Sequence, residues 1–499
     1  MAILPQIVAS GRAVEAHRPW RRVIVTTAVW RSAIAALAAG DLTLVSLWGD
    51  GTTVHMALLS EDANSVAVLS LDCPDRRFPS VAEKHAPAIR IERALRDLHG
   101  LEPVGLEDTR PWLDHGRWGV GHPLGEQTET AVVDYAFLAS EGENLHQIAV
   151  GPVHAGIIEP GHFRFTANGE TIVRLEERLG YVHKGIDRLM RGATVTEAAC
   201  LAGRASGDST VGYAFAFARA VEAALGVEVT PRARALRGLM AELERIANHF
   251  GDIGAICNDA SFALMHAHTS ILRERVLRLA AGTFGHRLMM DRIVPGGVAA
   301  DLSQRGQAEL FALIGEIRAA FPRLVALYDN TASLQDRTVG TGILKADLAR
   351  QFGAGGYVGR ASGRAFDARR AFPYAPYDGM KFEVPVLHEG DVNARVWIRI
   401  REIEQSLTLL AALANLPDGA LLVDVPRRSG EGMALTEGFR GDVLAWVRLD
   451  AEGRVAAAHL RDPSWFQWPL LEAVIEGNIV ADFPLCNKSF NCSYSGHDL

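Results

Sequence analysis

The sequence contains no C-x-x-C pair. Its five cysteines, Cys73, Cys200, Cys257, Cys486 and Cys492, are scattered along 499 residues. That excludes a zinc ribbon and an iron–sulfur cluster held by this chain, since both need a set of closely spaced thiolates. An odd number of cysteines also argues against a disulfide framework and suits a reducing compartment. Runs of about 18 uninterrupted apolar residues, the length that spans a bilayer, are absent. The most apolar helix candidates, 211–226 and 407–416, are short or carry Arg219 and Glu222. Residues 1–30 lack the charged-then-apolar pattern of a signal peptide. Membrane attachment is therefore expected only through partner subunits. There is no long basic run, and the net charge is −8, so nucleic acid is not an expected partner. Ser206, Asp208 and Ser209 have no adjacent base, and no G-x-S-x-G elbow occurs, which removes a serine-hydrolase reading. No internal repeat is present.

What is there is a large core. The chain is 48% hydrophobic and 22% charged, which fits two or more globular domains. Residues 42–48 and 66–71 read as strands, with Gly49-Asp50-Gly51 as a turn. Residues 90–99 read as a helix. The stretch 102–130, rich in Gly, Pro and charge, reads as a linker. Strands are expected at 147–153, 162–167 and 171–179, with Asn168-Gly169 as a tight-hairpin signal.

Beyond Tyr181 the pattern becomes helical. Residues 232–250 carry Leu236, Leu239, Met240, Leu243, Ile246, Ala247 and Phe250 on one face, with Thr230 as cap and Pro231 in the first turn. Glu242, Arg245 and His249 share another face of the same helix. A solvated or ion-paired face is the ordinary explanation of such a stripe; a buried polar network is the alternative. Further helices are expected at 270–290 and 402–416. The glycine-rich stretch 353–363 reads as a turn region rather than a phosphate cradle, because it lacks the strand–GxGxxG–helix context.

Several segments occur together in one order. They are Gly151-Pro152-Val153-His154, Tyr181-Val182-His183-Lys184-Gly185, the run 242–249, Pro295-Gly296-Gly297-Val298, and Arg360-Ala361-Ser362-Gly363 with Asp367. Pro373-Tyr374, Gly390-Asp391, Arg395, Arg461-Asp462-Pro463-Ser464 and Asp482 follow. Over residues 145–499 the chain thereby resembles the large subunit of membrane-bound hydrogenases of the hydrogenase-4 and formate hydrogenlyase type. That family includes the quinone-site subunit of respiratory complex I. Residues 1–125, through Ile91-Glu92-Arg93 and Asp97-Leu98-His99-Gly100, resemble the small peripheral-arm subunit of complex I, a scaffold. The resemblance implies an α+β protein: an N-terminal α/β domain, then a small β sheet and a large, mainly helical hydrogenase-large-subunit-like domain.

The resemblance also marks what is missing. Nickel–iron hydrogenases hold nickel with two C-x-x-C pairs, whose positions fall here on Ser206, Ser209, Ser493 and Gly496. A protonated serine hydroxyl is a hard, weak ligand where the metals need anionic sulfur. A histidine of the hydrogenase pattern is replaced by Tyr213, and Cys492 stands one residue off its ligand position. No nickel is expected, and an active nickel–iron hydrogenase is the disfavoured alternative. Another metal held by Cys486, Cys492 and His497 is a minor alternative.

In complex I the same cleft binds a quinone head group through a histidine and a tyrosine. His154 matches the histidine, whereas the tyrosine position falls on Gly207, with Asp208 beside it. His154, Gly207 and Asp208 are therefore the expected cleft lining. His154 is the candidate contact to a quinone or a proton, since imidazole titrates near neutral pH. The resemblance implies a component of a membrane-attached oxidoreductase complex. It would pass electrons between Fe–S clusters of partners and a quinone or other carrier. The expected partners are an Fe–S small subunit and membrane antiporter-like subunits. The expected place is cytoplasmic, on the inner face of the cell membrane. A non-catalytic structural or coupling subunit is the alternative.

Overall fold

Apolar runs buried on both sides build the first layer of the fold. The computed structural model describes residues 3–129 and 134–499. Strands β1 (Arg12–Val14), β2 (Arg21–Ile24), β3 (Thr43–Asp50), β4 (Thr53–Ser60) and β5 (Ser65–Asp72) form a sheet in the order β1-β2-β5-β4-β3. Only β2 and β5 run parallel. Leu44, Leu47, Met56, Leu58 and Leu69 join the core of helix α1 (Thr27–Ala39). Their neighbours Val45, Ala57, Leu59 and Val68 face a C-terminal sheet. This two-sided burial explains why β4 has no apolar–polar alternation to betray it. The turn after β3 centres on Gly51 (φ +64°), one step beyond the expected site.

Helix α2 (Ile89–His99) lies where expected. The segment after it is not a free linker. Glu102–Val104 pairs with Arg77–Pro79. The Asp97 carboxylate then accepts the backbone N–H groups of Trp112, Leu113 and Asp114, at 2.6, 2.8 and 3.2 Å. Trp112 and Leu113 are buried as a result. Thr130, the last residue of that expected linker, lies outside the described residues.

A second sheet, in the order β8-β7-β6, is antiparallel: β6 (Leu145–Val150), β7 (His162–Asn168) and β8 (Thr171–Arg178). β6 stops at Val150, short of the expected 153, because Gly151 takes φ +82° and turns the chain away. Asn168 pairs with Thr171, so the two-residue turn is Gly169-Glu170, with Gly169 at φ +59°.

The helical body consists mainly of α3 (Thr210–Leu225), α4 (Pro231–Asp259), α5 (Ala263–Phe284), α6 (Gln304–Asp329) and α7 (Val392–Leu413). Thr230 caps α4 through its hydroxyl, which accepts Ala233 N at 3.2 Å. α4 continues well past Phe250. A Cβ on its Gly254 would meet Thr269 Oγ1 at 2.1 Å, so the glycine there lets α5 approach rather than breaking the helix. α5 ends at Gly285 (φ +77°), earlier than the 270–290 pattern implied. α7 starts at Val392 rather than 402, because the Asp391 carboxylate accepts Ala394 N at 2.7 Å. The glycine-rich stretch holds a short helix, Gly356–Ala361, as well as turns.

The third sheet, β9 (Gly430–Glu437), β10 (Asp442–Leu449) and β11 (Val455–Arg461), is antiparallel, and His17–Arg18 adds a parallel edge to β9. Three helices end the chain: α8 (Ser464–Ile475), α9 (Phe483–Phe490) and α10 (Tyr494–Asp498). The protein is α+β. Among the described residues, no helix is long and apolar enough to cross a membrane.

Candidate functional site

The site is assembled by the short helix α10. Ser493 caps it, accepting Gly496 N at 2.9 Å. The same hydroxyl lies 2.9 Å from Ser206 Oγ, which precedes α3. Ser206 also donates to Asp208 Oδ1 at 2.9 Å, and Ser209 donates to it at 3.2 Å. Arg440, on the turn between β9 and β10, closes the group. Its guanidinium grips both Asp208 oxygens, at 2.8 and 2.7 Å, and donates to Ser209 Oγ at 3.0 Å. The fold therefore gathers Ser206, Ser209, Ser493 and Gly496, the four positions matching the thiolates. Gly207 sits exposed in the turn beside them and adds no side chain.

These residues do not fit nickel or iron. Three offer neutral hydroxyls that already satisfy one another and Asp208, and the fourth offers only backbone. A Cβ on Gly496 would lie 2.5 Å from Asp462 Oδ2 and 2.9 Å from Ser493 Oγ, so the place of a fourth thiolate is taken. Asp462 is held there by Tyr213, whose hydroxyl donates at 2.6 Å. A bidentate arginine–carboxylate pair brings the local positive charge from within the chain. Burial would raise the Asp208 carboxyl, but Arg440 and the Ser206 hydroxyl outweigh it and hold it down to about 2. Cys486 and Cys492 are buried, and burial pushes the Cys486 thiol up to about 12. His497 is occupied by Trp112 Nε1 at 3.2 Å and by Asp498 at 2.8 Å.

His154 sits on the loop after β6, half-buried. Its Nε2 lies 3.1 Å from the hydroxyl of Tyr494, the first residue of α10. Phe163 packs against the imidazole edge-on, with centroids 5.4 Å apart. Burial lowers the His154 pKa, so the ring is neutral at pH 7. Burial also raises the Tyr494 phenol. A phenol thus stands beside the histidine, although Gly207 occupies the position that the resemblance assigns to it. The sequence signal is the Ser493-Tyr494 pair inside the terminal motif, where the missing sulfur draws attention away from the phenol. His162 lies elsewhere, bonded to Gly151 O at 3.2 Å.

The charged face of α4 is buried, against the ordinary expectation of a solvated stripe. Glu242, Arg245 and His249 are at most 1% exposed. Glu242 accepts from Arg369 (2.9 Å), Tyr377 (2.6 Å) and Ser406 (2.6 Å). Glu402 of α7 accepts from Arg360 at 2.6 Å and from His249 Nε2 at 2.8 Å. Arg360 reaches Glu437 at 2.9 Å, and Asp367 pairs with Arg369 at 2.7 Å. The arginines Arg245, Arg360 and Arg369 thus face the carboxylates Glu242, Glu402, Glu437 and Asp367, one anion in excess. Burial and the Asp367 charge push Glu437 up to about 7, so a proton is shared by the network near neutral pH. Arg273, Glu274 and Arg275 take no part: Glu274 pairs on the surface with Arg278 and Arg287.

Comparison with known proteins extends this picture. The family model of the respiratory-chain NADH dehydrogenase 30 Kd subunit matches residues 23–131, and that of the 49 Kd subunit matches residues 259–430. Hydrogenase-4 component G of Escherichia coli (strain K12) is 31% identical over 462 residues, covering 89% of this chain and 80% of that protein. Formate hydrogenlyase subunit 5 of the same organism is 30% identical over 447 residues, covering 86% and 78%. An NADH-quinone oxidoreductase subunit of Phocaeicola vulgatus is 28% identical over 445 residues, covering 81% and 84%. Among solved structures, a chain of the membrane-bound sulfane sulfur reductase, an archaeal respiratory membrane complex, superposes with a TM-score of 0.68 at 24% identity. It covers 72% of this chain and all of that one, a likeness of fold.

Proposed function

The chain belongs to the family of hydrogenase-4 component G, formate hydrogenlyase subunit 5 and their NADH-quinone oxidoreductase relatives, and on that premise we propose that it is the large-subunit-like component of a membrane-attached oxidoreductase complex that works without nickel. In this reading residues 1–125 are a scaffold and residues 145–499 carry the cleft. An Fe–S small subunit supplies the clusters, and membrane antiporter-like subunits anchor the assembly to the inner face of the cell membrane. This chain holds no cofactor of its own firmly.

The observation that carries the proposal is the His154–Tyr494 pair. Imidazole N–H and phenol O–H are the donors that quinone carbonyls accept, and quinone reduction consumes protons. A quinone supplies the electron acceptor when it is bound. His154 and Tyr494 orient it and hold a proton at Nε2 or at the phenol oxygen. In this reading Gly207 and Asp208 belong to the same site, and Asp208 is held as an anion by Arg440.

A second reading, a non-catalytic coupling subunit, is favoured by one observation: the Asp208–Arg440 pair engages Ser206 and Ser209, two of the positions matching the thiolates, in hydrogen bonds within the chain. One experiment separates the two. The complex is purified from membranes through this chain, its iron–sulfur centres are reduced, and their EPR signal is followed on adding a quinone. Reoxidation that depends on His154 supports the redox role. Clusters that ignore quinone support the coupling role.

A further inference from the structure

A partly open cavity lies in the seam between α2, β3, the 113–124 segment and residues 183–188, which lead into the short helix Ile186–Met190. It shares no residue with the His154–Tyr494 pair or the Ser206–Ser493 group. Its volume is about 310 Å³, at the lower end of the range for small-molecule sites. Leu95 and Leu98 of α2 make an aliphatic floor. Flat rings make the walls. Trp48 stacks on His459 with centroids 5.2 Å apart and planes at 6°, and Trp118 stacks on His183 at 4.6 Å and 29°.

Three side chains in this lining carry a buried polar atom without a hydrogen-bond partner among the described residues: Trp48 at Nε1, His99 and Asp187. The Asp187 side chain has His459 Nδ1 at 3.7 Å and His183 within reach of its charge, and its Oδ1 is buried with nothing to accept from. His99 is 6% exposed, and its Nδ1 is likewise unsatisfied. Burial pushes this imidazole down to about 3, so it is neutral. A carboxylate oxygen buried without a donor is unfavourable, and a ligand that supplies one removes the deficit. Lys184 and Arg461 also line the space and disfavour an organic cation there, while Asp187 disfavours an anion.

We propose that this cavity binds a flat, uncharged, ring-bearing molecule that carries a hydroxyl, its rings held against the tryptophan faces and its hydroxyl donating to Asp187. The site is independent of the quinone reading, because none of its residues serves that cleft.

The test is equilibrium dialysis of the full chain against 2-naphthol and against naphthalene. The expected result is one 2-naphthol per chain, bound about tenfold more tightly than naphthalene through the hydroxyl contact. Asp187→Ala brings 2-naphthol down to the affinity of naphthalene. Leu98→Trp fills the space and weakens both compounds by at least about tenfold. Val120→Trp does the same from the facing segment, and carries the test if Leu98→Trp fails to fold. No binding, binding that survives both tryptophan variants, or binding lost instead in His154→Ala overturns the proposal.

Discussion

Tyr494 and His154 stand 340 residues apart in the chain, and their side chains meet at 3.1 Å. The contact is made by a five-residue helix that does three things at once. Its cap, Ser493, reaches Ser206; its first residue reaches His154; and Ser495 N donates to Glu159 at 3.0 Å on the loop that bears His154. The loop after β6 and the turn before α3 are thus positioned by one element.

If that pair handles protons for a quinone, removing either partner slows the chemistry without dismantling the assembly. His154→Ala is expected to slow quinone-linked reoxidation of the clusters about 10²-fold, a usual loss for a proton donor. Tyr494→Phe, which keeps the ring and its packing, is expected to slow it about tenfold. Reoxidation followed by EPR, beside a gel of the purified complex, checks both. An unaltered rate in the two variants defeats the redox role.

Restoring the thiolates does not restore a metal centre. Gly496→Cys forces a Cβ against Asp462, which Tyr213 and Ser464 N hold in place at 2.6 and 2.8 Å. Overpacking of this kind costs about 1–3 kcal/mol, and the melting temperature of the full chain should drop accordingly. The fourfold variant Ser206→Cys, Ser209→Cys, Ser493→Cys, Gly496→Cys is expected to contain no nickel by elemental analysis. One nickel per chain in that variant refutes the argument.

The buried network should be intolerant of single deletions. Arg360→Met leaves Glu402 and Glu437 without their shared cation in a fully buried place, a loss of about 3–5 kcal/mol. Arg275→Met removes a surface pair with Glu316, 3.5 Å apart, and should change stability by less than about 1 kcal/mol. Urea denaturation of the two variants compares them directly. Equal effects would mean that the network is not strongly coupled.

The same network sets a pH dependence. Burial, with Asp367 adding to it, raises Glu437 to about 7 in the folded chain, against an ordinary carboxyl value near 4.3 when unfolded. Between these values the folded state keeps a proton that the unfolded state has lost. The Glu437 contribution is therefore fully present below the unfolded value, declines as pH rises, and is gone above about 7. The slope is at most about 1.4 kcal/mol per pH unit. Glu437→Gln should flatten stability over that window in thermal melts at successive pH values. A wild-type profile that rises there instead would reverse the assignment.

The sequence showed most of this where one local signal sufficed. The cap of α4, the hairpin at Gly169 and the four altered ligand positions could all be read from short motifs. Strand β4 could not, since both of its faces are buried and it carries no alternation. The interior position of Glu242 and His249 was hidden for a different reason. Burying charge is unfavourable unless partners arrive, and those partners, Arg360, Arg369 and Glu402, come from other segments of the chain. Arg440 is a single arginine in a turn and gave no signal, although it grips Asp208 from 232 residues away. The cavity beside α2 depends on residues from several separate segments, beyond any periodicity.

The Asp208–Arg440 pair has a bearing on reversibility. Cysteine at any one of the four positions meets either a hydroxyl partner already satisfied or the wall formed by Asp462, with no metal yet bound to compensate. Arg440 also holds Ser209 and Asp208 in place, so a change at Ser209 disturbs the arginine–carboxylate pair as well. A thiolate set at these four positions therefore calls for several coordinated changes, in the hydroxyl network, at Asp462 and at Arg440, rather than for cysteines alone.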